Sequence, residues 1–177
     1  MERATPVPES HSLPESVVIP EKIVQFLEQQ ANTAFAGTRN LDLVPFGHRV
    51  SGWSIGADRR SLTAFIPEPL TAALVESLQG NGAVALTVEA FPAHDTYQFK
   101  GRYVSHRPVH REDNAVVDRV RERFIRNMRS IFPGVPDAIV GAFTSHPLFA
   151  ITFEVREIFV QTPGPGAGAR IVPPAEA

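Results

Sequence analysis

Apolar and polar positions alternate with a period of two along most of this chain, and stretches of helical spacing interrupt the alternation. The first nineteen residues sustain neither period: Pro6, Pro8, Pro14, Ser10 and Ser12 punctuate them, which predicts a flexible arm over 1–19. From Pro20, a residue suited to a first helical turn, Ile23, Phe26 and Leu27 recur at helical spacing and predict a short helix through Gln30. Alternation then governs 33–38, 43–55 and 61–66, with turn compositions at 39–42 and 56–58 between them. In the second of these strands Phe46, His48 and Val50 are expected on one face, and Arg49, Ser51 and Trp53 on the other.

Pro69 opens a second predicted helix whose apolar face carries Leu70, Leu74, Val75 and Leu78, and Gly80-Asn81-Gly82 stops it. A hairpin follows, with Val84, Leu86 and Val88 on one strand and Tyr97, Phe99 and Tyr103 on the next, across a turn at 92–95. The longest helix is expected over 112–131, with a stripe of Val116, Val120, Phe124, Met128 and Ile131, acids at its start and arginines at its end. A shorter helix at 137–143 and a strand from Phe149 to about Gln161 complete the core, and 162–177 reads as a Pro/Gly/Ala tail. The domain is therefore placed at 20–161. Strands joined by tight turns, without a repeating βα unit, predict an α+β fold built on an antiparallel six-stranded split β-barrel with flanking helices, and disfavour Rossmann and TIM-type architectures.

Composition adds mainly exclusions. With 43% hydrophobic and 20% charged residues and a formal net charge of -2, the chain reads as an ordinary globular domain with no bulk charge to attract nucleic acid. Zero cysteines exclude disulfides, thiolate nucleophiles and Cys-ligated metals. No apolar run approaches the ~20 residues of a membrane span, and the first residues lack a signal-peptide pattern, so the expected location is the cytoplasm.

Several motifs weaken on inspection. Gly52-Trp53-Ser54-Ile55-Gly56 matches a nucleophile elbow, but a hydrolase of that class needs a helix directly after the serine, and here a turn leads into another strand. His106 and His110 have the i, i+4 spacing of a helical metal pair, yet Pro108 between them puts both in a loop. His48 reads as a satisfied sheet histidine rather than a haem or metal ligand. Gly164-Pro165-Gly166-Ala167-Gly168 lacks the helix start that a phosphate loop requires, and the arginines of the long helix are interleaved with Asp118 and Glu122. The row Arg49, Ser51, Trp53 offers a cation, a hydroxyl and a flat aromatic surface on one side of a strand, fit for a phosphorylated planar ligand; an interface arginine beside a packed tryptophan has the same signature and is the commoner case.

The element order, together with 47–53 (GHRVSGW), 62–65 (LTAF), 81–86 (NGAVAL) and 97–102 (YQFKGR), resembles the pyridoxamine 5'-phosphate oxidase-like FMN-binding split barrels, from about Pro20 to Gln161. The resemblance implies FMN at the interface of a homodimer formed through the barrel face, a small-molecule substrate, and flavin-based oxidoreductase chemistry. It further implies that Arg49 meets the flavin phosphate, that Thr71 supplies a hydroxyl, and that Ser51 and Trp53 border the cofactor, with Lys100, Arg102 or an arginine of a partner subunit as the alternative source of charge for the phosphate. The basic pair common in that family at the start of the second helix has no counterpart in 68–74 (EPLTAAL). That departure leaves open a binding module of the same fold, without tight FMN, that takes another ligand or haem.

Overall fold

The computed structural model describes residues 15–68, 71–136, 138–139 and 148–171. The arm over 1–14, the expected helix at 137–143 apart from 138–139, and the tail beyond 171 lie outside the described residues. Helix α1 (Glu21–Gln25) runs on into a π-helical turn, Phe26–Gln30. Three strands follow: β1 (Thr33–Arg39), β2 (Pro45–Val50) and β3 (Gly52–Ile55). Next come β4 (Ser61–Pro67), α2 (Thr71–Asn81), β5 (Ala83–Ala90) and β6 (Asp95–Pro108). The order ends with α3 (Arg111–Ile131), β7 (Leu148–Val160) and a short β8 (Arg170–Ile171).

All strand pairings are antiparallel, in the order β2-β1-β5-β6-β7-β4-β3 with β8 added to β7. The first and last strands of that order are consecutive in sequence, separated only by Ser51. The expected strand over 43–55 is thus one strand broken at Ser51, which leaves one edge of the sheet and joins the other, so the sheet curls into a split barrel. Ser51 is held at the crossing by its N–H, which donates to the Phe65 carbonyl at 2.8 Å.

The inner face carries the main core. Phe99, Phe153, Leu62, Leu86 and Ile158 are fully buried there, each worth about 1.5–3 kcal/mol by removal from water. Outside the barrel, α3 covers β3 and β4 through a smaller cluster of Phe65, Val117, Leu148 and Ala150. The helix comes close because residue 52 is glycine: a Cβ there would stand 3.1 Å from the Val117 Cα. At its start the Asp113 carboxylate accepts from the His110 N–H at 2.7 Å and takes two hydrogen bonds from Arg107, at 2.6 and 3.1 Å. Of the expected stripe Val120 and Phe124 are buried, whereas Val116 and Met128 are half-buried and Ile131 is exposed; Val117 completes the buried face.

Three boundaries move. Val17 and Ile19 were expected in the arm, but Val17 donates to Val155 and Ile19 to Arg59, and Ile19 lies in the core. The segment after Gln161 folds back, with Gly168 and Val160 bonded and β8 pairing β7, because Ile171 has apolar surface to cover. β6 is longer than expected and carries His106 as a strand residue rather than a loop residue.

Candidate functional site

Register fixes which side chains share the outer face. One row crosses the sheet as Arg49, Phe35, Thr87, Gln98 and Phe159. The next, two residues along each strand, is Gly47, Gly37, Ala85, Lys100 and Glu157. Side chains two apart on a strand point the same way, so these rows make one continuous surface. What stands over that surface differs between its ends.

Over Arg49 stands α3. The guanidinium carbon lies 5.1 Å from the centre of the Phe124 ring, a cation–π distance. The crevice shared by Arg49, Ser51, Asn32 and Arg121 measures about 10 Å³, room for about one water. Burial there lowers the Arg49 pKa, since the charged form loses hydration.

At the other end nothing described covers the sheet, and the small residues Gly37, Ala83 and Ala85 floor a groove of about 610 Å³. Arg39, Lys100, Arg102 and Arg156 gather around it. Arg156 pairs with Glu154, and the groove's acid, Glu157, is met by Arg170 of β8 at 3.4 Å. Arg39, Lys100 and Arg102 enter no ion pair among the described residues, so the groove keeps cationic character. The Lys100 ammonium rests 4.5 Å from the centre of the Phe159 ring, and Arg102 donates to the Asn81 carbonyl at 3.2 Å. A phosphate ester fits this donor set, and the glycine and alanine floor leaves height for a flat ring system.

No family model matches the chain, and no curated protein matches it. Solved structures do. HupZ from Group A Streptococcus aligns with a TM-score of 0.50 at 14% identity, over 86% of this chain and 99% of HupZ. An F420 reductase aligns at 0.48 and 15% identity, over 79% and 98% of the two chains. A candidate pyridoxamine 5'-phosphate oxidase from Lactobacillus delbrueckii aligns at 0.47 and 14%, over 81% and 94%. The fold is the split barrel of the pyridoxamine 5'-phosphate oxidase type.

In this split barrel the row Arg49, Ser51, Trp53 does not form. Ser51 sits between two strands as an inserted residue, so alternation restarts one residue out of step and Gly52, not Trp53, faces α3. Trp53 is turned to the inner core, and its indole N–H donates to the Leu27 carbonyl at 3.3 Å. Arg49 and Ser51 do meet, in the closed crevice. Lys100 lies on the outer face with Arg49 but three strands away, about 15 Å by strand spacing. Thr71 begins α2, and its side chain lies outside the described residues.

Other motifs of the split barrel resolve locally. Ser54 sits mid-strand on β3, opposite Thr63, and a turn rather than a helix follows. His106 stacks on Tyr103 and accepts or shares its hydroxyl hydrogen, while His110 caps α3, so the two histidines are not a metal pair. No cluster of three potential metal ligands occurs among the described residues. His48 belongs to the inner row with Ala36, Leu86, Phe99 and Ile158; burial lowers its pKa, and its buried Nε2 has no hydrogen-bond partner among the described residues. That corrects the expectation of a satisfied histidine. Sequence reasoning missed Arg39, assigned to a turn, and Arg156. The available signal was the small-residue pattern at 37, 83 and 85, which marks where a sheet surface is left low.

No helix among the described residues is long and apolar enough to cross a membrane.

Proposed function

We propose that this split barrel is a homodimeric FMN-binding oxidoreductase acting on a small-molecule substrate, with the cofactor phosphate held in the groove at Lys100. The observation that carries the reading is the groove itself: about 610 Å³, three cations outside any ion pair among the described residues, and a floor of glycine and alanine. Its size suits a nucleotide-sized ligand. Lys100 and Arg102 bind the phosphate through charge-assisted hydrogen bonds, and Arg39 adds field from the opposite rim. Bound FMN would supply the hydride chemistry. The protein's part is to orient the flat ring and exclude water. A second copy seated on the outer face performs the exclusion: Phe35 is 55% exposed in the row beside the groove, and Leu43 on the groove wall is 66% exposed.

Titrating the protein with FMN and following flavin fluorescence tests this. Saturable quenching is expected, weakened about 10-fold or more by Lys100→Gln with Arg102→Gln. Absence of quenching, or quenching indifferent to both substitutions, overturns the assignment. Light scattering that gives a monomer overturns the dimer. Binding of inorganic phosphate without FMN would favour the alternative, a module of this fold that takes a different anion. A haem version has less support, because His48 lines neither the groove nor the crevice.

A further inference from the structure

A separate cavity of about 340 Å³ opens between the N-terminal helical segment, β3 and α3. That volume stands at the low end for small-molecule sites, about 300–1,000 Å³. Its floor is apolar: Leu27, Trp53 and Val120 are core residues, and Ile55 and Val116 flank them. Its polar wall holds Ser54, Glu28, Arg119 and Arg123.

The two arginines, one turn apart on α3 and therefore on the same helix face, are differently engaged. Arg123 donates to the carbonyls of Leu27, Glu28 and Ala31. Those are carbonyls that the end of the first helical segment leaves without intrahelical partners, so this guanidinium is committed to the fold. Arg119 is exposed at the cavity and makes no hydrogen bond or ion pair among the described residues. The local field also asks for an anion. Burial lowers the Arg123 pKa, and the charges of Arg126 and Arg119 lower it further.

The chemistry of the wall narrows the ligand. One available guanidinium presents a planar fork that matches a carboxylate through two parallel hydrogen bonds. Glu28 in the same wall opposes a doubly charged group such as a phosphate monoester. The apolar floor rewards hydrocarbon or aromatic surface. We propose that this cavity binds a small monocarboxylate with an apolar or aromatic body, its carboxylate on Arg119 and its body over Trp53 and Val120. The site is independent of the FMN groove, and either assignment survives failure of the other.

The chain's sole tryptophan lines the cavity, so intrinsic fluorescence reports occupancy directly. Titration with 3-phenylpropionate should give a saturable change in Trp53 emission, and the uncharged 3-phenylpropanol should bind more weakly. Arg119→Gln should weaken 3-phenylpropionate about 10–100-fold with an unchanged far-ultraviolet dichroism spectrum. Arg119→Lys, which keeps the charge but loses the fork, should fall between. No saturable change up to the solubility of the acid, equal affinity for the alcohol, or an Arg119→Gln protein that binds as well as the parent each overturns the proposal.

Discussion

The crevice at Arg49 and the groove at Lys100 lie on one outer surface of one sheet, and each presents a cation beside an aromatic ring. Arg49 rests on Phe124, Lys100 on Phe159. Yet one holds about 10 Å³ and the other about 610 Å³. The difference is set by what crosses above them. Phe124 belongs to a helix drawn onto the sheet by Gly52 and Phe65, whereas Phe159 belongs to the sheet itself, and the floor residues Gly37, Ala83 and Ala85 are too small to fill the space. A cation on a strand is a packing element under a helix and stays open to solvent without one.

The largest effect expected from breaking either side is at the bulge beneath the groove. A Cβ on Gly101 would sit 2.0 Å from the Glu154 carbonyl oxygen, a backbone atom that can yield only by opening the β6–β7 pairing. Gly101→Ala should therefore cost about 3–5 kcal/mol in denaturant unfolding and flatten the groove floor. A loss under about 1 kcal/mol would mean that the bulge tolerates relaxation and that the two regions are less distinct than they look. Next is the lid of the crevice. Phe124→Ala removes a buried ring and should cost about 3 kcal/mol, with quenchers and solutes gaining access beneath α3. The groove, which Phe124 does not line, should bind FMN as before.

A third test loosens α3 by pH. Hydrogen bonds from Arg107 lower the pKa of Asp113 most, and the His110 N–H lowers it further, against the opposing effect of burial. The folded value thus lies below the unfolded one, near 3.9. A depressed carboxyl pKa contributes stability that is present above the unfolded pKa and disappears as pH falls through the folded one. Asp113→Asn should cost about 1–3 kcal/mol near neutral pH, and the gap between parent and variant should close below about pH 4. A gap that stays constant from pH 7 downward would show that the Arg107 contact gives α3 no charge-dependent anchor.

The barrel was legible because alternation is a local property: 33–38, 61–66, 84–88 and 97–103 all appear as strands, in an order that admits an antiparallel sheet. The candidate site was legible only in part. Arg49 and Ser51 do share a crevice, but Trp53 leaves the row because one inserted residue reverses every later side chain, and a bulge has no signature in Val50-Ser51-Gly52 beyond its glycine. Lys100 and Arg102 were named from resemblance, while Arg39 and Arg156 come to the same groove from strands far apart in sequence. Convergence of that kind depends on register between β1, β5, β6 and β7, which spacing within one strand does not encode. The packed ends at Val17, Ile19 and Ile171 were missed for a related reason: short apolar runs flanked by proline carry no period, and only the edge of β7 and the turn at Arg59 give them a place.

The smallest expected effect separates function from fold most cleanly. Lys100 is exposed and its ring contact is open to solvent, so Lys100→Gln should change unfolding stability by no more than about 0.5 kcal/mol. Arg49 differs, because burial has already removed its hydration and the Phe124 ring stands in its place. Arg49→Gln should therefore cost more in stability than Lys100→Gln and less in anion binding. Measuring both variants for unfolding and for phosphate affinity gives a two-by-two comparison. Equal stability losses, or a larger binding loss at Arg49, would move the proposed phosphate site back to the strand where the sequence first suggested it.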